Sequence, residues 1–518
     1  MNVISGIRNA LAAGRDKIIN WLNLRPANDH TITIYEPYTQ AGNVLKNRLW
    51  YRGEPSELSQ FYKSQAGTQR DNVNAARFWV AVPSEGLQIR KIHSGLPAMC
   101  VDKIADIVVT DMEPVKFEND VNGTGEDKAN QERWKAVAKE NGWEKLIRKA
   151  VAETDVAGDG TFKISLDPAV SELPILEFYS GERVDYTRKR GRITEVLFYT
   201  DKILNGRRYR LEEIYGKGYI KYNLYDVAGN PVNMNRFPEL ADLKPVSWEG
   251  GFLLAVPLMF LESPRFAGRG KSLYDGKCDA FDALDEDISQ WTDAFRAGRI
   301  TRYIPEDLVP RDPDTGKTIP PNPFDNQFIA TGTDSHENVS SKIDVVQPTI
   351  NSDSFLQKYT TDLDLCLQGV LSPSTLGIDV KKLDNAESQR EKEKTTMYTR
   401  AQRISVLEKV LPKLVDTALK ADDLNNSRAA QEYSCTITWG EYANPSFEAV
   451  VETVGKARQY EIMSIEQCIE EMYGDTMNDK DKATEVARIK AEQGIAETKE
   501  PSAGDLPPSG ADGTGGAS

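Results

Sequence analysis

The spacing of apolar residues divides the chain into helical and sheet-forming regions. Steps of three and four residues predict helices at 97–109, 128–154, 273–298, 352–370, 386–421 and 446–495. Short β-branched and aromatic runs between Gly, Asp and Asn predict antiparallel strands at 162–166, 175–179, 193–199, 209–215 and 219–225. Gly142 should interrupt the second helix, and Pro412 should kink or break the fifth. Helices and antiparallel strands in separate runs indicate an α+β fold.

Both ends of the sequence differ from the middle. Residues 1–24 can form an amphipathic helix that carries Arg8, Arg15 and Lys17. It is either a docking or membrane-surface arm, or a helix packed on its own protein or a neighbouring subunit. Of the 23 residues 496–518, 15 are Gly, Pro, Ser or Ala, and we expect this tail to be disordered.

The helix at 273–298 has two stripes. The apolar stripe contains Tyr274, Cys278, Phe281, Ile288, Trp291 and Phe295. The second stripe, offset by one residue and therefore by about 100°, contains Asp275, Asp279, Asp282, Glu286 and Asp293. Acid–base catalysis needs two carboxyl groups in unlike environments. A regular stripe instead predicts a uniformly solvated face, towards bulk water or a water-filled lumen.

Composition narrows the function classes. The 518 residues include 79 acidic and 64 basic ones, which gives a net charge of −15. An ordinary nucleic-acid-binding protein has an excess of basic residues, and this chain does not. The five cysteines show no spacing typical of disulfide pairs, which indicates reduced thiols. None of the three histidines lies at metal-ligand spacing from a cysteine or another histidine. The longest apolar run, Gly251 to Leu261, is far shorter than the roughly 20 residues that span a bilayer. We therefore expect no metal, no cofactor and no membrane partner.

Two motif-like segments are rejected as sites. Gly270-Lys271-Ser272 mimics a phosphate-binding loop, but Arg265 stands where that motif requires glycine. Asp155 to Gly160 mimics a calcium loop, but Ala157 and Leu166 occupy ligand positions. We therefore expect no catalytic residues.

Residues 183–221 concentrate positive charge. They hold 11 basic and 5 acidic side chains, with tyrosines interleaved. The region could bind nucleic acid or could pair with acidic residues of an adjacent subunit. The sequence leaves both interpretations open.

Residues 300–350 form a proline-rich excursion between two helices. Seven prolines fall in these 51 residues, with turn chemistry at Asp312 to Gly316. Apolar residues remain at Phe324, Phe328 and Val345, so we expect a small β-containing unit rather than a linker.

Three sequence blocks resemble a known family. They are 47–55 (NRLWYRGEP), 91–97 (KIHSGLP), and 371–379 (LSPSTLGID) with 385–392 (NAESQREK). In this order, around a helix–excursion–helix unit, they resemble the portal proteins of tailed bacteriophages with the longer, siphovirus-type subunit. The resemblance covers roughly residues 45–470.

The resemblance implies a division of the chain. Its parts are a mixed α/β wing (46–271), a first stem helix (272–299), a small α/β clip (300–350), a second stem helix (351–370), a tunnel loop (371–385), a long kinked wing helix with a following strand (386–445) and a helical crown (446–495). The N-terminal arm (1–45) and the tail (496–518) match no part of the family, and their roles stay open.

The resemblance also implies a function and partners. Portals of this kind are rings, usually dodecamers, at one capsid vertex of the virion, assembled in the host cytoplasm. They connect head to tail and conduct double-stranded viral DNA, bound transiently and without sequence preference, during packaging and ejection. The implied partners are the terminase large subunit, a head-completion or adaptor protein, and the major capsid and scaffolding proteins. The alternatives are a nucleotide-using packaging or recombination enzyme, and an acidic scaffold or adaptor without a DNA channel.

Site residues follow from this division. We expect Lys381 and Lys382 of the tunnel loop, with Asp282 and Glu286 of the first stem helix, to face DNA in the channel. We expect the apolar Phe281, Trp291 and Phe295 at the subunit interface. The clip residues expected to meet partners are Asp307, Arg311, Asp314, Lys317 and Phe324. A carboxylate-lined tunnel would repel phosphates and keep DNA mobile.

Overall fold

The computed structural model describes most of the chain and has an α+β fold. The described residues are 38–66, 78–81, 89–117, 126–241, 243–298, 301–305, 309, 311–317, 328–331, 344–346, 349–378, 386–440, 447–460, 462–473, 477 and 479–492. They belong to two units, which divide between Trp439 and Gly440. Among these residues no helix combines the length and apolarity needed to cross a membrane. The expected N-terminal helix and the tail lie outside the described residues.

Helices make up the first part of unit 1. They are α1 (Gln40–Arg52), α2 (Pro55–Ala66), α3 (Leu96–Val109), α4 (Glu126–Glu140) and α5 (Trp143–Ala157). The predicted interruption at Gly142 is confirmed, since this glycine has φ 57° and separates α4 from α5. Helix α1 was not predicted. Its polar Asn43, Lys46 and Asn47 are buried, so they disturb the apolar spacing by which amphipathic helices are recognised.

Two antiparallel sheets follow the helices. The strands are β2 (Asp159–Ser165), β3 (Ile175–Ser180), β4 (Val184–Lys189), β5 (Arg192–Leu204), β6 (Arg207–Gly216), β7 (Tyr219–Asp226), β8 (Val246–Ser247) and β9 (Ala255–Met259). One sheet has the order β3-β2-β9 and the other β4-β5-β6-β7-β8. All five strands predicted from β-branched and aromatic runs are confirmed.

Aromatic side chains link the two sheets. Phe198 of β5 lies 5.2 Å from Tyr179 of β3 and 5.0 Å from Tyr215 of β6, measured between ring centroids. In the same core, the ammonium of Lys163 donates to a Glu213 carboxylate oxygen at 2.8 Å, and both side chains are buried. A buried charge is tolerated here because its counter-ion is buried with it.

The helix–excursion–helix unit has the predicted order. Helix α6 (Cys278–Ala297) leads into a three-stranded sheet of β10 (Thr301–Pro305), β11 (Phe328–Thr331) and β12 (Asp344–Val346). Strand β10 is central, parallel to β11 and antiparallel to β12. Helix α7 (Ser352–Leu367) follows, and the side chain of Asn351 accepts a hydrogen bond from the backbone of Ser354 at its start.

The longest helix, α8 (Ala386–Asn425), continues through Pro412. Of the two expected outcomes, a kink or a break, the break is therefore absent. Proline in a helix interior costs about 3 kcal/mol or more. Leu411, Leu414 and Val415 are fully buried around it, and their burial offsets that cost. Strand β13 (Cys435–Thr436) then pairs with β1 (Lys116–Phe117).

Unit 2 consists of three described helices: α9 (Phe447–Gln459), α10 (Ile465–Tyr473) and α11 (Asp479–Glu492). Helices α10 and α11 are joined by ion pairs from Lys490 to Glu466 (2.5 Å) and from Lys482 to Glu470 (3.0 Å). The hydrogen bond from Lys490 lowers the pKa of Glu466 to about 2. The predicted helical character of 446–495 is confirmed for these segments.

Candidate functional site: the paired helices α6 and α7

Helices α6 and α7 pack side by side in opposite directions. Trp291, near the end of α6, stacks against Phe355, near the start of α7, with ring centroids 6.0 Å apart and an interplanar angle of 1°. At the other end of the pair, Lys277 reaches the last turn of α7. The excursion β10–β12 therefore leaves and returns at one end of a helical pair.

Lys277 closes the C-terminal end of α7. Its ammonium donates to the carbonyl oxygens of Leu365 and Gln368, both at 2.8 Å. These carbonyls have no partner inside the helix, and a cation there also complements the helix dipole. Burial lowers the pKa of Lys277. This contact fixes the position at which the chain leaves α7 for the following loop.

An acid–base–acid group joins the middle of the two helices. Lys358 of α7 donates to Asp287 of α6 and, at 2.8 Å, to Asp362 of α7. Asp287 is only 4% exposed, and burial raises its pKa to about 6, against the opposing hydrogen bond from Lys358. One lysine thus serves two carboxylates, which makes the contact sensitive to pH.

The carboxylates of α6 do not form a uniformly solvated face. Asp282, Asp285 and Asp287 are 6%, 3% and 4% exposed, respectively. Asp279 is exposed and Glu286 is partly exposed. The expectation of a solvated stripe is therefore wrong for Asp282, and this side chain is withdrawn from the candidate channel residues. Glu286 remains a candidate.

Asp282 holds a short helical turn at 79–81 against α6. Its two carboxylate oxygens accept hydrogen bonds from the backbone N–H groups of Trp79 and Val80, at 2.5 and 3.1 Å. Lys91 donates to the carbonyl oxygens of the same two residues, at 2.8 and 2.7 Å. Burial, helped by the nearby Asp285 and Glu286, raises the pKa of Asp282 to about 7, although the two backbone hydrogen bonds oppose the rise.

Asp285 and Ser289 hold the segment that precedes α3. Asp285 accepts the backbone N–H of Ser94 at 2.8 Å and contacts Nδ1 of His93 at 2.6 Å. One turn further along α6, the hydroxyl oxygen of Ser289 accepts the backbone N–H of Ile92 at 2.9 Å. The block 91–97 that carried part of the family resemblance is thus a strap bound to α6.

Contact with His93 explains why position 53, in block 47–55, is a glycine. Gly53 ends α1 with φ 70°, and a Cβ atom there would lie 2.5 Å from Cδ2 of His93. Glycine is required both by this conformation and by the close approach. Blocks 47–55 and 91–97 are therefore parts of one packed structure around α6.

The three apolar residues expected at a subunit interface have different environments. Phe281 is 3% exposed and packs between Trp50 and Tyr274 of its own chain, at 6.1 and 5.8 Å between ring centroids. The interface assignment of Phe281 is therefore wrong. Trp291 is partly buried in the α6–α7 contact, whereas Phe295 is 52% exposed. Phe295 remains the candidate for contact with another molecule.

The loop after α7 is anchored to α8 by hydroxyl groups. The backbone N–H of Ser372 donates to Oγ1 of Thr396 at 2.9 Å, and Oγ1 of Thr399 donates to the carbonyl of Val370 at 2.7 Å. Gly377, with φ 72°, closes a single helical turn at Pro373–Leu376. Lys381 and Lys382 lie outside the described residues, so their contact with DNA stays a prediction.

Part of the excursion forms an exposed turn. Asp312 accepts backbone N–H groups of Asp314 and Thr315, at 2.8 and 3.0 Å, and these bonds lower the pKa of Asp312. Arg311, Asp314 and Lys317 are exposed on this turn, as partner-binding residues must be. Asp307 and Phe324 lie outside the described residues.

The glycine-lysine-serine segment has a structural role. A Cβ atom on Gly270 would lie 2.0 Å from the carbonyl oxygen of Gly158, so the backbones at these two positions cross with no room for a side chain. The N–H of Gly270 donates to Asp159 at 2.7 Å, and the hydroxyl of Ser272 donates to the carbonyl of Asp155 at 3.0 Å. The Gly270 N–H and the Ser272 hydroxyl, two of the groups that a phosphate loop would offer to a nucleotide, are thus used inside the protein.

The carboxylates of the segment that mimics a calcium loop, Asp155 and Asp159, are likewise paired with groups of the protein. Asp155 pairs with Arg403 at 2.9 Å and Asp159 with Arg269 at 2.8 Å. Burial raises the pKa of Asp155, although Arg403 opposes the rise. Across the described ranges no three His, Cys, Asp or Glu side chains are grouped so that they could hold a metal ion.

No protein-family model matches the sequence, and no curated protein matches it significantly. Among solved structures, one similar chain comes from the "virion of native gene transfer agent (GTA) particle", with 12% identity, a TM-score of 0.37, and coverage of 76% of this chain and 89% of that chain. Another comes from the "neck of empty GTA particle computed with C6 symmetry", with 12% identity, a TM-score of 0.38, and coverage of 81% and 94%. Likenesses of this size carry no functional argument, so the function is argued from this chain's own residues.

Proposed function

We propose that this protein is the subunit of a portal: a ring at one vertex of a phage capsid, through which double-stranded DNA is packaged and ejected. The observation that carries the proposal is the antiparallel pair α6–α7. The chain passes from α6 through the excursion β10–β12 and returns along α7. It then continues through a loop anchored to α8 into α8 itself, which has 40 residues. This order of elements supports the proposal because the family resemblance implies the same order, in which the elements would be stem, clip, stem, tunnel loop and long wing helix.

Charge supports a conduit rather than a static DNA-binding protein. Twelve copies would carry a formal charge of about −180. Carboxylates that remain exposed or partly exposed, such as Asp279 and Glu286 on α6 and Asp364 on α7, could face a tunnel. They would repel the phosphate backbone and keep DNA mobile, because each phosphate contact that a cation makes adds salt-dependent affinity.

Subunit contacts in a closed ring are heterologous, so each subunit must offer two different surfaces. On the stem, Phe295 and Leu356 are 52% and 50% exposed, and they are the candidates for one of these surfaces. On the exposed turn of the clip, Arg311, Asp314 and Lys317 would meet the terminase large subunit and, after packaging, the head-completion protein. The packaging energy would then come from the terminase, and this chain would have no catalytic activity.

The alternatives make different predictions. A nucleotide-using enzyme would need the Gly270 segment free to bind phosphate, but Gly270 and Ser272 are engaged with Asp159 and Asp155. An acidic scaffold without a channel is compatible with the fold of one subunit, and imaging distinguishes it from a portal.

Mass photometry and negative-stain electron microscopy of the purified full chain test the proposal. We expect rings with a central hole and a mass near twelve times 57.8 kDa. Phe295→Ser should reduce ring formation without changing the unfolding midpoint, whereas Asp279→Ser, on an exposed position of the same helix, serves as the matched control. A monomer or a compact dimer under all assembly conditions would contradict the portal, and hydrolysis of ATP abolished by Lys271→Ala would favour the enzyme.

A further inference from the structure

The five-stranded sheet contains two hairpins of the same type with different sequences. At the β5–β6 turn, Asn205 and Gly206 have φ of 50° and 72°; at the β4–β5 turn, Arg190 and Gly191 have φ of 51° and 77°. Positive φ at both central positions defines the type I′ turn, for which Asn-Gly is the preferred pair. The β4–β5 turn instead places an arginine in the left-handed region.

Next to Arg190, a pair of like charges also lowers the stability of the β4–β5 turn. Lys189 and Arg192 close the β4–β5 turn and are register partners, directly opposite each other. Like charges at opposite positions destabilise a strand pair. At the β5–β6 turn, by contrast, Arg207 lies opposite the uncharged Leu204. Local violations of this kind, concentrated in one turn, are typical of functional sites.

Hydrogen bonds from Arg188 hold the backbone of the β4–β5 tip, residues 188–192. The guanidinium of Arg188 donates to the carbonyl oxygens of Gly191, across the turn, and of Gly268, at 3.3 and 2.8 Å. The same guanidinium lies 5.6 Å from the ring centroid of Tyr186. The backbone of the tip is therefore held in place, while its other cations point into solvent.

The carboxylates of these strands are engaged elsewhere. Asp185 lies 3.6 Å from Arg269, and Glu195 accepts a hydrogen bond from the Tyr219 hydroxyl. Lys189, Arg190 and Arg192 are exposed, and within the part of the chain that the structure describes they form no ion pair. With Arg188, four cations in five residues thus have no carboxylate partner among the described residues of an otherwise acidic chain.

The surroundings of the tip indicate the kind of partner. Protein–protein interfaces have an apolar centre from which charged residues are depleted, whereas nucleic-acid interfaces are polar and strongly positive. None of the described large apolar residues between 184 and 196 is exposed. The β5–β6 end differs, because Ile203, the register partner of Arg208, is 71% exposed.

We propose that the β4–β5 tip, Arg188 to Arg192, binds the phosphodiester backbone of nucleic acid without reading its bases. Arginine suits this role because its planar guanidinium donates two parallel hydrogen bonds to a phosphate. This contact is additional to the channel, and it is independent of ring formation.

Fluorescence anisotropy of the purified full chain with a labelled 30-base-pair duplex tests the proposal, with salt varied from 50 to 200 mM. The test variant is Lys189→Gln/Arg190→Asn/Arg192→Gln. Asparagine at position 190 suits the turn, so the hairpin should still fold. The matched control is Lys202→Gln/Arg207→Gln/Arg208→Gln, which removes the same charge from the other end of the sheet.

We expect the test variant to bind at least tenfold more weakly than the parent at 50 mM salt. The slope of log K against log salt should become shallower by about 0.9 for each phosphate that the variant no longer binds. The control should retain most of the affinity. Equal losses in both variants would mean that only net charge matters, and absence of binding by the parent would also overturn the proposal.

A further outcome distinguishes an acidic protein partner. If the test variant binds DNA like the parent but its particles fall apart in mass photometry, the tip contacts a second copy of the chain and the proposal is wrong. Normal particles with weakened DNA binding support it. If the chain forms no rings but binds DNA through this tip, the portal proposal fails and the tip assignment stands.

Discussion

Helix α6 and the β4–β5 hairpin both carry dense charge of one sign, but the structure uses the two charges in opposite ways. On α6, Asp282, Asp285 and Asp287 are buried and bind backbone N–H groups, a histidine and a lysine. On the hairpin, Arg190 and its neighbours are exposed and lack carboxylate partners within the described residues. A run of like charges therefore does not by itself mark a solvated face, since its meaning depends on the groups that the fold places opposite.

The largest effect should come from Asp285→Ala. The substitution leaves the backbone N–H of Ser94 and the ring of His93 without their shared acceptor. Each polar group left unsatisfied in the interior costs about 1–3 kcal/mol. Urea unfolding should show this loss, while Asp279→Ala on the exposed side should change stability by less than about 0.5 kcal/mol. A small effect at both positions would mean that the buried carboxylates of α6 do not hold the strap.

Asp282→Asn should remove part of the pH dependence of stability. The folded-state pKa of Asp282, about 7, lies above the ordinary value of 3.8. Its protonation therefore stabilises the fold at low pH, and this contribution is lost as pH rises from about 4 through 7. An amide cannot accept both backbone N–H groups, so we expect a loss of about 2 kcal/mol at acidic pH. An unchanged pH profile between 4 and 7 would show that another group titrates there.

Lys358→Met should destabilise the α6–α7 pair most at high pH. The lysine lies between Asp287 and Asp362, and its removal leaves two carboxylates close together. Since burial already raises the pKa of Asp287 to about 6, the variant should lose about 1–2 kcal/mol above pH 7 and much less below pH 5. Thermal unfolding at the two pH values measures the difference, and an equal loss at both would contradict the charge argument.

The smallest effect should come from Arg190→Asn, and it should have the opposite sign. Asparagine is better suited to a φ of 51° than arginine, so stability should rise by about 0.5 kcal/mol. Affinity for a DNA duplex should fall in the same variant. A gain in stability together with a loss of binding would sharpen the contrast with α6, where substitution of a buried carboxylate should cost stability. A loss of both would indicate that Arg190 supports the hairpin itself.

Much of the fold was predictable because local patterns dominate it. The predicted strands overlap β2, β3, β5, β6 and β7, and the break at Gly142 is where the sequence places it. Helix α1 was missed because Asn43 and Asn47 are buried without being apolar; their side chains donate to Asp275 at 3.0 and 3.5 Å. Pro412 was expected to kink or break its helix, but the helix continues through it, with fully buried neighbours on both sides.

The candidate site was less predictable. The turn residues at 311–317 are exposed as expected, and Glu286 remains partly exposed. Asp282 and Phe281, by contrast, are buried against residues about 200 positions away, at Trp79 and Trp50. Sequence spacing places a side chain on a face of a helix, but it does not show which other element covers that face.

The sequence by itself determined the acidic balance, which is a sum over its residues. It also determined most of the helices, the strands with β-branched and aromatic runs, and the turns that glycine allows, because each of these depends on neighbours within a few residues. Only the tertiary structure decided which charges are matched. The backbones of Gly270 and Gly158 are in close contact, and Asp285 contacts Nδ1 of His93. Arg190 is exposed and has no carboxylate partner among the described residues. The free energy of a charge depends on its burial and on its counter-ion, and both are fixed by chain segments that are distant in sequence.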